Sequence, residues 1–169
     1  MKEVISALDT KYNTRVPVGS LIQQGVPNIF KASGTFANGG TGTITLAKTD
    51  GDLVVASNLI TLPKGFVYEM DYTLNIYNST AGAASLMDAK IVKSADNSEQ
   101  GTVAKAGMRT INGSGEYGEA GVGTCLIDLT SASSDLVVKY YVSSTIVGSG
   151  NVVISNHSFL KIKKYLKAS

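Results

Sequence analysis

Residues 66–77 limit what this 169-residue chain can fold into more than any other stretch. The even positions, Phe66, Tyr68, Met70, Tyr72, Leu74 and Ile76, are all large and apolar or aromatic. The odd positions from Glu69 to Asn75 are all polar. Successive strand side chains point to opposite faces, so alternation this long requires a strand; a helix would scatter the same residues around its circumference. One face of such a strand has to be covered, which implies a two-layer β domain.

The rest of the chain from Ile29 onward continues the pattern. Strand-like runs fall at 29–36, 43–46, 53–55, 59–62, 86–92, 102–110, 122–129, 136–146, 152–154 and 158–165. They are separated by Gly-, Ser-, Thr- and Asn-rich turns, with a hairpin signal at Thr49-Asp50-Gly51-Asp52. Eighteen glycines against three prolines suit many short strands joined by polar turns. Strands at this spacing predict a single all-β sandwich or barrel. A chain of this length buries roughly 70% of its unfolded surface, enough for a real core.

Residues 1–28 read differently. Val4, Ile5, Leu8 and Tyr12 have the spacing of a short amphipathic helix. Residues 13–28, with Pro17 and Pro27, read as an extended arm. Such an arm either packs on the domain or orders on another protein as an anchor. The expected organisation is an arm over 1–28 and one domain over 29–169.

Charge and composition exclude several classes. Fifteen basic and thirteen acidic residues give a net charge of +2, without the basic face of a nucleic-acid protein. No run of 18 apolar residues exists to insert in a membrane, and residues 1–6 lack the apolar core of a secretory signal, so folding in a cytosol is expected. Cys125 stands alone, forms no internal disulfide and reads as a small buried hydrophobe.

No motif declares a chemistry. Gly113-Ser114-Gly115-Glu116-Tyr117-Gly118 matches a dinucleotide fingerprint, but a further strand follows it where the pyrophosphate would need a helix N-terminus. His157 is the only histidine, and Ser155 and Ser158 beside it sit on no nucleophile elbow. Asp50 and Asp52 have oxygens suited to a hard cation, yet read as turn formers. Glu116 and Glu119 could pair for glycoside cleavage, but only Tyr117 is at hand as an aromatic platform and the chain has no tryptophan. The lysines at 161, 163, 164 and 167 alternate with Leu160 and Ile162, as on the solvent face of a strand. The reading is a non-enzymatic protein without a cofactor.

Three segments together suggest a family. Leu62-Pro63-Lys64-Gly65-Phe66-Val67-Tyr68, leading into the long strand, resembles the middle of tumour-necrosis-factor-like and complement-type globular heads. Cys125-Leu126-Ile127-Asp128-Leu129 followed by Asp135-Leu136-Val137-Val138 resembles a later strand pair of that family. The ending, Asn156 to Lys164, resembles its closing strand in the form found in bacteriophage virion proteins.

The resemblance covers residues 29–166 and implies a jelly-roll β-sandwich that assembles as a homotrimer. It further implies a virion surface protein, a head fibre or capsid decoration, assembled in the bacterial cytoplasm. Residues 1–28, through Val4, Ile5, Leu8 and Tyr12, would then hold it on the major capsid protein or another virion protein. A tail-fibre tip that recognises a host surface glycan or protein is the alternative. Val67, Glu69, Asp71, Thr73 and Tyr141 are the candidate trimer contacts. Glu116, Tyr117 and Glu119 are the candidate distal-loop binding residues.

Overall fold

The alternation at 66–77 forms strands, and its even side chains fill the middle of the core. Tyr68, Met70, Tyr72 and Leu74 are fully buried and Ile76 nearly so, while Phe66 packs half-buried at the margin. Burying side chains the size of Met70 or Leu74 contributes about 1.5–3 kcal/mol each. In a computed structural model, residues 19–79, 84–110 and 116–168 are described, those at 108–110 and 116–119 through backbone pairing alone.

Among the described residues fifteen strands form and no helix. In chain order they begin with β1 (Leu21–Gln23), β2 (Asn28–Phe36), β3 (Gly42–Thr43), β4 (Thr45–Asp50) and β5 (Val55–Ala56). There follow β6 (Leu59–Leu62), β7 (Val67–Leu74), β8 (Ile76–Asn78), β9 (Ser85–Lys93) and β10 (Ala104–Thr110). The last are β11 (Glu116–Glu119), β12 (Gly121–Asp128), β13 (Leu136–Val147), β14 (Val152–Ile154) and β15 (Phe159–Lys167).

The strands make two antiparallel sheets. The first runs β12-β7-β15-β2-β14-β8, with β1 added to β15 and β4 to β2. The second runs β11-β10-β9-β13-β6-β5, with β3 added to β13. Four of the pairings are nested: β2 pairs β15, β6 pairs β13, β7 pairs β12 and β9 pairs β10. The core lies between the sheets, with Phe30, Tyr72, Leu160 and Ile162 on one side and Ile91, Ala104, Val138 and Tyr140 on the other.

Three features differ from the sequence reading. The run at 43–46 is two strands in different sheets. The chain crosses over at Ile44, which is fully buried and donates its N–H to the Tyr140 carbonyl at 2.8 Å. The runs near 53–62 are the hairpin β5–β6, turned at Ser57 and Asn58, both with positive φ; Asn tolerates that conformation well. The Asn58 side chain also accepts the Leu46 N–H. A bulge between Val142 and Ser144 shifts the phase of β13, so Thr145 and Val147 turn inward and Ile146 outward.

The described part of the arm packs on the domain. Gly19 N–H donates to Ala168 O, Ala168 N–H donates to Ser20 O, and β1 pairs the end of β15. Asn28 is buried and opens β2. Residues 19–28 therefore pack on the sandwich, the first of the two alternatives open for the arm. Val4, Ile5, Leu8 and Tyr12 lie outside the described residues.

Candidate interaction surfaces

The outer face of the first sheet carries a built charge pattern. Strand register lines up Leu126, Glu69 and Lys163 in one row, Thr124, Asp71 and Lys161 in the next, and Val122, Thr73 and Phe159 in the third. The acidic column on β7 thus lies between an uncharged column on β12 and a basic one on β15. Lys163 Nζ donates to Glu69 Oε1 at 2.6 Å and stands 3.9 Å from Asp71 Oδ2; Tyr165 Oη donates to Glu69 Oε2 at 2.8 Å. The Lys163 hydrogen bond, with that of Tyr165, holds the Glu69 carboxyl below its usual range, and Glu69 in turn raises Lys163. Val122 and Leu126 are 70% and 68% exposed.

The five expected trimer contacts do not share one surface. Glu69, Asp71 and Thr73 lie together on this face, partly exposed. Val67 lies in the same strand but is only 4% exposed within the single chain, so it is not an open contact. Tyr141 belongs to the other sheet, paired with Lys90 and Thr43. There Lys139 Nζ sits 5.1 Å over its ring. The strand pattern could not say which sheet the outward face of 136–146 would join.

The outer face of the second sheet holds a depression of about 370 Å³. Ile146, Leu86 and Gly107 form one row across three strands, and Ser144, Asp88 and Lys105 the next. Ile146 and Leu86 are more than half exposed, and a Leu86 methyl leans over Gly107, 3.1 Å from where a Cβ would stand. Lys105 Nζ is 3.6 Å from Asp88 Oδ2. Glu116, Tyr117 and Glu119 lie in strand β11, not in a loop; backbone register sets position 119 opposite Gly107 and position 117 opposite Arg109. They are therefore strand positions beside this depression. The sequence carried a weak sign of it, since Leu86 is apolar in the outward phase of its strand and Gly107 interrupts the next.

The remaining candidates serve the fold. Asn28 Oδ1 accepts the Leu53 N–H at 2.6 Å, and its Nδ2 donates to Asp52 Oδ1 at 3.2 Å. Lys164 pairs with Asp52 and lies 5.3 Å over the Phe66 ring, tying the 51–53 turn to β15. Lys164 therefore leaves the outward lysine row. Asp50 accepts the Gly51 N–H, as a turn former does. Among the described residues no three His, Cys, Asp or Glu side chains gather as metal ligands. His157 is an exposed turn residue whose carbonyl accepts from Asn75 Nδ2. Cys125 is buried, with Sγ 2.6 Å from Gln100 O, and burial pushes its thiol up to about 11.

No protein-family model matches the chain, and no curated protein matches it.

Proposed function

We propose that this chain is a non-enzymatic bacteriophage virion surface protein, a trimeric head fibre or capsid decoration protein held on the particle through residues 1–18. The observation that carries the reading is the nested strand pairing. Numbering β2, β6, β7, β9, β10, β12, β13 and β15 from one to eight, the pairs are 1–8, 2–7, 3–6 and 4–5. That nesting supports a jelly roll, in which eight strands fold back on one another in two sheets. It agrees with the tumour-necrosis-factor-like resemblance of residues 62–68, 125–138 and 156–164.

The outer face of the first sheet supports self-association. Acidic Glu69 and Asp71 stand beside basic Lys161 and Lys163, with exposed Val122 and Leu126 at the edge. Complementary charge flanked by apolar side chains suits a surface that meets another copy. The place where residue 18 joins Gly19 is beside the chain's C-terminal strand, opposite the end that carries the turns at 37–40 and 148–151. An arm leaving there frees the far loops.

The test removes residues 1–18 and leaves β1 and its bonds to β15 intact. The truncated protein should keep the oligomeric mass of the full chain and fail to enter particles. Incorporation at the level of the full chain contradicts the anchoring role. A second reading, a receptor-binding tip recognising a host surface glycan or protein, is favoured by one observation, the depression on the second sheet.

A further inference from the structure

From the depression bounded by Ile146, Leu86 and Gly107 we infer that the outer face of the second sheet binds a neutral saccharide unit. This inference rests on the receptor-binding reading and gives that reading a site on a sheet face instead of on loop tips.

The two rows described above have complementary chemistry. Ile146 and Leu86 are cross-strand neighbours and offer an aliphatic platform that water covers in the free protein. Gly107 adds no side chain of its own to that row, and the Leu86 methyl leans across to it, carrying the platform toward β10. The next row along the strands, two residues away, is polar: the Ser144 hydroxyl, the Asp88 carboxylate and the Lys105 ammonium. Alternate residues on one face of a strand are roughly 7 Å apart. A pyranose has the matching anatomy, a C–H face about as wide as the platform and hydroxyls at its rim.

The polar groups also have capacity to spare. Asp88 and Lys105 face each other at 3.6 Å, too far for a hydrogen bond, and the Lys105 side chain is 74% exposed. Among the described side chains no other partner engages the Asp88 carboxylate. A carboxylate accepts two hydroxyls at once, and an ammonium donates to a third oxygen. A purely aliphatic guest would bury both charged groups without satisfying them, which costs free energy. A volume of about 370 Å³ lies at the lower limit of ligand sites, so the guest is one or two rings, not an extended chain.

The experiment is an NMR titration of the full chain with a panel of neutral hexoses and N-acetylhexosamines. At least one saccharide should shift the amides of residues 86–88, 105–107 and 144–146, with an affinity on the order of millimolar. Gly107→Val sets a branched side chain against the platform, where among the described residues its Cβ meets the flexible end of Leu86 at 3.1 Å, and should abolish the shifts. Ile146→Ala removes half of the platform and provides an independent variant. Asp88→Asn should weaken binding about tenfold. The inference is overturned if no member of the panel moves those amides, or if the shifts persist in both Gly107→Val and Ile146→Ala. It is equally overturned if a leucine-containing peptide moves them and the saccharides do not. Solution mass and particle incorporation do not depend on this site, so its failure is separate from failure of the virion assignment.

Discussion

The Tyr72 ring packs against the Tyr140 ring across the two sheets, centroids 5.3 Å apart and planes tilted by 59°. The two hydroxyls have different fates. That of Tyr72 donates to the Thr102 carbonyl, whereas that of Tyr140 is buried with no partner among the described residues. Burial pushes Tyr72 up to about 12 and raises Tyr140 further, so both are neutral donors throughout the physiological range. Tyr140→Phe should therefore leave stability unchanged or raise it by about 1 kcal/mol, because an unsatisfied buried hydroxyl is removed. Tyr72→Phe should lower it by about 1 kcal/mol. Urea unfolding of the two variants side by side makes the comparison.

The Tyr72 ring has room only because position 123 is glycine. A Cβ there would fall 2.1 Å from one ring carbon and 2.5 Å from another. Gly123→Ala should destabilise by roughly 1–3 kcal/mol, the usual range for overpacking a rigid core. Gly107→Ala, on the outward face of β10, should cost far less, since its nearest neighbour is a side-chain end. Thermal melts of both variants check the contrast.

Acid should weaken the fold through two braces. The Lys163 hydrogen bond lowers Glu69 from 4.5, and the Lys164 hydrogen bond lowers Asp52 from 3.8. Because the folded values lie below the unfolded ones, the unfolded chain takes up protons first as pH falls. The braces therefore stabilise fully above about pH 5 and are lost as pH drops below 4.5 and 3.8 toward the folded values. Both carboxylates are well exposed, so solvent screening makes the effect small. Glu69→Gln should flatten the fall in urea midpoint between about pH 6 and pH 3.

Val122 and Leu126 point away from the core, so Val122→Asp and Leu126→Asp should change the stability of a single chain by no more than about 0.5 kcal/mol. On the proposed self-association through the first sheet, the same substitutions should reduce the oligomer. Sedimentation velocity reads the second effect and circular dichroism the first. An unchanged mass in variants that keep the fold contradicts the assignment of this face.

The buried row of β7 was legible in the sequence because burial of one face imposes a period of two. Bulges and crossovers were not. Ser144 begins a phase shift that no local residue announces, and Ile44 changes sheet between two threonines, Thr43 and Thr45, that read as one strand. Tyr141 was read as outward correctly, but which sheet it joins depends on pairing with Lys90, far away in the chain. Leu21 to Gln23 read as arm because a three-residue edge strand, exposed throughout, takes its order from β15 instead of from its own pattern. Glu116 to Glu119 read as loop because glycines flank and interrupt them, yet register with β10 makes them a strand. The depression escaped notice for the same reason: Ile146, Leu86 and Gly107 become neighbours only through pairing.

The proposed assembly is a trimeric jelly roll. Its most direct test is the mass of the full chain in solution, measured by light scattering across a range of concentrations. A trimer gives three times the 17.6 kDa chain mass, stable on dilution. A mass of 17.6 kDa at every concentration would contradict it.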